Sequence, residues 1–259
     1  VILLDQSPGA VVFLTAADSE IQTLALAQSQ LPADFPPVRG ANLLQLQQQL
    51  SIDTYADTVL AAAQVIILRL LGGRAYWPYG LEVVEETVAR SGAALIVLPG
   101  DDRPAPDLIS HSTVPLTVAN QFWRYLNAGG GENLAHGLLW LWDRLFPSNY
   151  QPPPPQPVPL VGIYPGPPTW QLPQPAVDPA PLAILFYRAH YLAGNTAPID
   201  ALGQALAQRG YRPLALYLSS LQEPEVQGHL ESLLRPGDGP AVRLVLNTTS
   251  FALARLDGA

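Results

Sequence analysis

Cysteine, methionine and lysine are all missing from this chain, and its 13 basic residues are every one arginine. Without lysine there is no P-loop, no kinase-type ATP site and no Schiff-base nucleophile. Without cysteine there are no disulfides, thiol nucleophiles or thiolate-bound zinc or iron–sulfur centres, so any metal must be held by oxygen and imidazole. Charge is sparse, at 13% of residues, and the net charge of −8 comes with no basic cluster. Nucleic acid is therefore not an expected partner, because phosphate binding needs gathered cations. No apolar run reaches the roughly 18 residues of a membrane span, and Val1 opens no signal peptide, so the expected location is the cytoplasm. A chain with no methionine that begins at Val1 reads as an excerpt of a longer polypeptide, or as a sequence from which methionine positions are missing.

What is present is core-forming material, with 48% apolar residues over 259 positions, enough for one large domain or two ordinary ones. The central pattern is Leu182 to Asp200. An apolar strand, Leu182 to Tyr187, empties into a loop carrying Arg188, His190 and Tyr191, and a helix starts near Asn195. Asn195 and Thr196 are placed to cap it, Pro198 fits its first turn, and Asp200 suits the positive end of its dipole. Ile199, Leu202 and Leu206 recur on one face and Gly210 ends the helix. A strand emptying into a polar loop before a helix start is where α/β proteins bind ligands.

The first part of the chain alternates in the same way. A strand from Ala10 to Thr15 leads to a helix capped by Asp18, and an apolar segment runs from Val38 to Leu46. A helix from about Ile52 to Ala63 precedes Val65 to Leu71, which reads as a strand covered on both faces. The following loop, Gly72 to Gly80, pairs Arg74 with Tyr76, Trp77 and Tyr79. Arginine suits a carboxylate and the aromatics suit a flat conjugated ligand. A glycine turn whose aromatics cover the next helix fits equally well.

Ala93 to Leu98 is a further strand, ending in Asp101 and Asp102, which suit either a divalent cation or a capped turn. Two helices follow, marked by Val118, Phe122, Tyr125 and Leu126 and then by Leu134, Leu138, Leu141, Trp142 and Leu145. Glu132 and His136 stand four apart without the second histidine of a zinc motif.

Half of the chain's 28 prolines lie between Pro147 and Pro181, which reads as a linker partly in polyproline II. Beyond it come strands at Leu214 to Leu218 and Val242 to Leu246, a helix from Pro224 to Leu234, and a helix-like Phe251 to Leu256. Asn247 to Ser250, at a strand end, can cap a helix or hold a ligand oxygen. The expected fold is α/β, two units of parallel sheet flanked by helices in Rossmann-like or flavodoxin-like fashion. The domains are then 1–146, a Pro-rich linker over 147–181, and 182–259, the start of a second domain with too few strands for a closed core.

Four segments resemble one family. They are Leu31-Pro-Ala-Asp-Phe-Pro-Pro-Val-Arg39 with Ala41-Asn-Leu-Leu44; Leu68-Arg-Leu-Leu-Gly-Gly-Arg-Ala-Tyr-Trp-Pro-Tyr-Gly80; Leu98-Pro-Gly-Asp-Asp-Arg-Pro104 with Ser112-Thr-Val-Pro115; and Phe186-Tyr-Arg-Ala-His-Tyr191 with Gly194-Asn195 and Leu246-Asn-Thr-Thr249. Together they are similar to the CobN-type large subunit of ATP-dependent cobaltochelatase, in the cobaltochelatase and magnesium chelatase large-subunit family. The resemblance implies an amino-terminal fragment of a tetrapyrrole-binding subunit. Such a subunit takes Co²⁺ as a substrate for hydrogenobyrinic acid a,c-diamide in cobalamin biosynthesis, or Mg²⁺ for protoporphyrin IX in the related enzyme. It also implies an AAA+ ATPase subunit that hydrolyses ATP, a second smaller subunit, and no ATP site on this chain.

Metallation calls for gripping the macrocycle's carboxylates, contacting its ring and removing its inner protons. Arg74 and Arg188 are the expected carboxylate partners and Tyr76, Trp77 and Tyr191 the ring contacts. Asn195, Asn247 and Thr248 are further binding residues, and His190 is the catalytic proton acceptor or transient metal carrier. A scaffold module that docks the ATPase subunits, and a generic small-molecule-binding α/β pair, are the other readings.

Overall fold

The structure is a computed structural model that describes residues 2–100, 103–170 and 181–250. Asp101, Asp102 and the helix expected from Phe251 lie outside the described residues. The chain divides into two compact units, Val1–Pro157 and Val158–Ala259.

In the first unit β1 (Val11–Thr15), β2 (Val38–Asn42), β3 (Val65–Leu70) and β4 (Ala94–Pro99) form one parallel sheet in the order β2-β1-β3-β4. Helices cover both faces, which is why the strands are almost continuously apolar rather than alternating. Val12, Leu14, Ile66, Leu68, Leu95 and Val97 pack against α2 (Gln49–Thr58) and α3 (Pro78–Ser91). Val11, Phe13, Val65, Ile67, Ile96 and Leu98 face the layer of α1 (Asp18–Gln28), α5 (Leu116–Ala128) and α6 (Gly130–Leu145), while a single turn, α4 (Pro106–Ile109), follows β4. α3 starts at Pro78, where a missing N–H costs nothing, and it stops at the left-handed Gly92 (φ 75°). The strand order reverses at β1, so the carboxyl ends of β1 and β3 flank the topological switch point.

The Pro-rich stretch is not a single free linker. Residues 147–157 are strapped to the first unit. The Asp143 carboxylate accepts hydrogen bonds from Ser148 Oγ (2.7 Å) and from the N–H groups of Tyr150 (2.9 Å) and Gln151 (2.8 Å). The Tyr125 hydroxyl donates to Pro153 O, and buried Asn133 both donates to and accepts from the Gln156 backbone. Prolines cannot pair their own nitrogens, so side chains of α5 and α6 satisfy the backbone that remains.

Burial raises the Asp143 carboxyl pKa, but its three donors outweigh that and hold it below its ordinary value. A lowered carboxylate pKa contributes stability above its unfolded value and loses it as pH falls through the folded one. Asp143→Ala is therefore expected to cost about 1 kcal/mol, discounted for solvent exposure, to quicken proteolysis within 148–156, and to flatten the acid limb of the stability profile. Unchanged cleavage and an unchanged acid limb would count against the strap.

The second unit has β5 (Val161–Tyr164), β6 (Pro181–Tyr187), β7 (Arg212–Leu218) and β8 (Leu244–Asn247) in the order β5-β7-β6-β8. β6 is parallel to both β7 and β8, whereas β5 runs antiparallel to β7, so this sheet is mixed at one edge. One face, with Ala183, Leu185, Leu216 and Leu218, packs on α9 (Pro224–Leu234) through Val226 and Leu230. The other carries Ile184, Phe186, Ala215 and Tyr217 beneath Trp170 and Ile199 of α8 (Ala197–Ala207). Trp170 lies across Gly203, where an added Cβ would meet the indole at 2.2 Å, and its Nε1–H donates to Asp200 O. Among the described residues no helix is long and apolar enough to cross a membrane.

Candidate functional site

β6 ends at Tyr187 and runs directly into a single helical turn, α7 (Arg188–Leu192). Gly194 (φ 67°) then reverses the chain, Asn195 N–H bonds His190 O, and α8 begins. The capping expected of Asn195 and Thr196 takes another form. No side chain caps α8; the Thr196 hydroxyl bonds Asp200 Oδ2, and the Tyr164 hydroxyl lies 2.9 Å from Asp200 Oδ1.

Because β8 pairs with β6, the polar residues after β8 arrive beside this turn. Thr248 donates twice to Leu185 O, from its N–H (2.9 Å) and its hydroxyl (2.8 Å). The Asn247 side-chain oxygen accepts from the N–H and hydroxyl of Thr249. Ser250 N–H donates to the Tyr187 hydroxyl at 2.6 Å. The exposed His190 ring stands 5.8 Å from that of Tyr187. β6 goes to β7 on one side and β8 returns on the other, so these residues sit at the switch point of the second sheet. His190 and Asn195 follow β6 while Asn247 and Thr248 end β8, its parallel neighbour, about 50 residues later in sequence, and the Tyr187–Ser250 hydrogen bond links the two segments.

Arg188 and Tyr191 turn toward β7 instead. Arg188 donates through Nε to Pro159 O (2.8 Å) and through Nη2 to Val158 O (2.7 Å), holding the segment that leads into β5. Burial lowers its pKa from the ordinary guanidinium value. Tyr191 stacks on Tyr217 with centroids 4.1 Å apart and planes at 6°. Burial, with Tyr191 alongside, raises the Tyr217 phenol pKa. Two of the Arg188 donors are thus spent on backbone, and one face of Tyr191 is spent on a ring.

In the first unit, Arg74 and Tyr76 are exposed on a short 3₁₀ turn reached through Gly72 and Gly73 (φ 88° and 79°). Trp77 is not a surface ring. It is 4% exposed, its Nε1–H donates to Leu46 O at 3.1 Å, and Gly80 leaves the room its indole occupies. Trp77 is therefore corrected from ring contact to core anchor, because an indole whose donor finds a buried carbonyl gains more by packing than by facing water. Tyr79, by contrast, reaches Asp53 Oδ1 at the surface, and that hydrogen bond raises its phenol pKa.

Sequence reasoning missed a polar group at the first switch point. Arg69 of β3 is 5% exposed and its Nε lies 3.1 Å from Glu20 Oε1, while the Thr15 hydroxyl donates to Glu20 Oε2. Thr15 and Arg69 are register partners across β1 and β3. An arginine inside the otherwise apolar run Val65 to Leu71 was the available signal. Among the described residues no group of three His, Cys, Asp or Glu could hold a metal ion, and Glu132 and His136 acquire no third ligand.

Two units, each with polar loops at the carboxyl ends of parallel strands, define a protein of the α/β class. The family model described as CobN/Magnesium Chelatase matches residues 123–259. The chain belongs to this family. It is 38% identical over 96% of its length to the aerobic cobaltochelatase subunit CobN of Pseudomonas aeruginosa, and 32% identical over 97% to that of a Sinorhizobium species. It spans 20% of the length of each. The catalytic subunit of cobaltochelatase from Mycobacterium tuberculosis superposes on 85% of the chain, and 17% of that structure, with a TM-score of 0.64 and 29% identity.

Proposed function

We propose that this chain is part of the large subunit of a cytoplasmic, ATP-dependent cobaltochelatase and contributes to seating the macrocycle. The substrates are Co²⁺ and hydrogenobyrinic acid a,c-diamide, and the product enters cobalamin biosynthesis. The observation that carries this reading is the 38% identity to a cobaltochelatase subunit running over 96% of the chain. An AAA+ ATPase subunit hydrolyses ATP and a second smaller subunit completes the assembly, consistent with a chain that lacks the lysine of a P-loop. Magnesium chelatase, acting on protoporphyrin IX, is the alternative within the same family description.

In the second-unit crevice the exposed His190 imidazole accepts a proton from an inner pyrrole nitrogen as the metal enters. Asn247 and Asn195 supply amide donors for the peripheral carboxylate and amide groups, and Thr248 is held in place by Leu185 O. Arg74 and Tyr76 are the exposed contacts of the first unit. The scaffold reading is favoured by one observation: Arg188 and Trp77 are committed to the protein's own backbone.

The test uses the full-length subunit with its ATPase partners. His190→Ala is expected to lower Co²⁺ insertion by about 100-fold, the low end for loss of a general base, while hydrogenobyrinic acid a,c-diamide affinity, read by fluorescence titration, changes less than threefold. Asn247→Ala is expected to weaken macrocycle affinity by about tenfold, one lost hydrogen bond. If both variants bind and turn over as wild type does, the crevice is not the macrocycle site and the scaffold reading takes its place.

A further inference from the structure

The two units repeat one winding. In each, a first strand leads through a helix to a neighbour on one side, β1 to β2 and β6 to β7, and the chain then returns to pair on the first strand's other side, at β3 and β8. β8 therefore occupies in the second unit the place of β3 in the first. Their surroundings differ sharply. β3 is buried along its whole length, with β4 paired to its outer edge and helices over both faces. Among the described residues nothing pairs with the outer edge of β8, and Leu244 and Val245 are 54% and 41% exposed.

Those two side chains lie on opposite faces. Leu244 is in register with Leu182 and Val245 with Ala183, neighbours that point to opposite sides of the sheet. Thr248 N–H turns inward to Leu185 O, so the alternation of the ladder turns the N–H groups of Val245 and Asn247 outward. An apolar strand open on both faces and along one edge is the pattern of an interior strand of a parallel sheet, not of an edge, which proteins blunt with charge or proline.

We propose that the outer edge of β8 is the docking edge for a further parallel strand of the same polypeptide, the counterpart of β4, delivered by a helix in the place of α3. The interval that separates the end of β3 at Leu70 from the start of β4 at Ala94, counted from Asn247, reaches past Ala259. The relatives are long enough to supply it, since the chain spans only 20% of their length. A helix–strand unit also covers apolar side chains on a face, which edge pairing with another subunit would leave open. The added strand fixes β8, and with it the Asn247–Ser250 wall of the crevice, so the crevice is completed by later parts of the chain.

Hydrogen exchange on the full-length protein reads the edge directly. The Val245 and Asn247 amides are expected to exchange on the order of 100-fold more slowly than unstructured amides. Val245→Pro, which removes the outward N–H, is expected to unfold at markedly lower urea than Val245→Ala or to fail to accumulate folded, while Val245→Ala loses only side-chain packing and still folds. Solvent-rate exchange at both amides, or equal stability of the two variants, would overturn the proposal. Protection that rises with protein concentration or needs an added partner would assign the edge to another chain, and would overturn it equally.

Discussion

Trp77→Ala is expected to destabilise the full-length protein by about 3–5 kcal/mol, the range for losing a large buried aromatic, measured by urea unfolding. The indole is 4% exposed among Leu46, Leu81 and Val84, and removing it leaves Leu46 O without its donor. An orphaned buried carbonyl adds about 1–3 kcal/mol of its own to the loss of packing. Gly80 cannot relieve the cavity, having no side chain to fill it. Trp77→Phe should recover much of the packing but not the hydrogen bond, and so fall between. The opposite pattern, near-normal stability with lost macrocycle affinity, would return Trp77 to the binding surface. The neighbouring Arg74→Ala and Tyr76→Ala substitutions touch exposed side chains and carry no comparable stability cost.

Glu20→Ala should be the second large effect, at about 3 kcal/mol. Glu20 joins Thr15 and Arg69, and removing one member of a buried ion pair costs about 3–5 kcal/mol because the other cannot recover water. The lower end applies because Glu20 is itself 25% exposed. Arg69→Met should cost less than Glu20→Ala, since the quarter-exposed carboxylate can rehydrate while the buried guanidinium cannot. The double variant should be more stable than Glu20→Ala alone, a coupling that a double-mutant cycle would measure. Additive losses would show that Arg69 does not depend on Glu20.

The alternation of apolar strands and helical periods made the α/β class, and most strands to within one or two residues, legible in the sequence. That follows from local physics: a strand covered on both faces must be apolar throughout, and Gly210 marks a helix end by its own backbone limits. The antiparallel course of β5 was not legible. An open edge of β7 can accept a strand in either direction, and no side chain from Val161 to Tyr164 encodes which. The Pro-rich stretch showed what it could not be, helix or central strand, but not that Asp143, Tyr125 and Asn133 would tie its first part to α5 and α6.

Sequence by itself determined the absence of thiol and lysine chemistry, the two-unit alternation, and the placing of polar residues at strand ends. The tertiary structure alone decided which of those residues meet. Pairing of β8 with β6 brought Asn247 and Thr248 beside the end of β6, while the open carbonyls before β5 drew Arg188 away and the carbonyl of Leu46 drew Trp77 inward. Residue type says what a side chain can bond. Only the packed fold says which partner reaches it first, because a buried donor takes the nearest acceptor rather than remain unsatisfied.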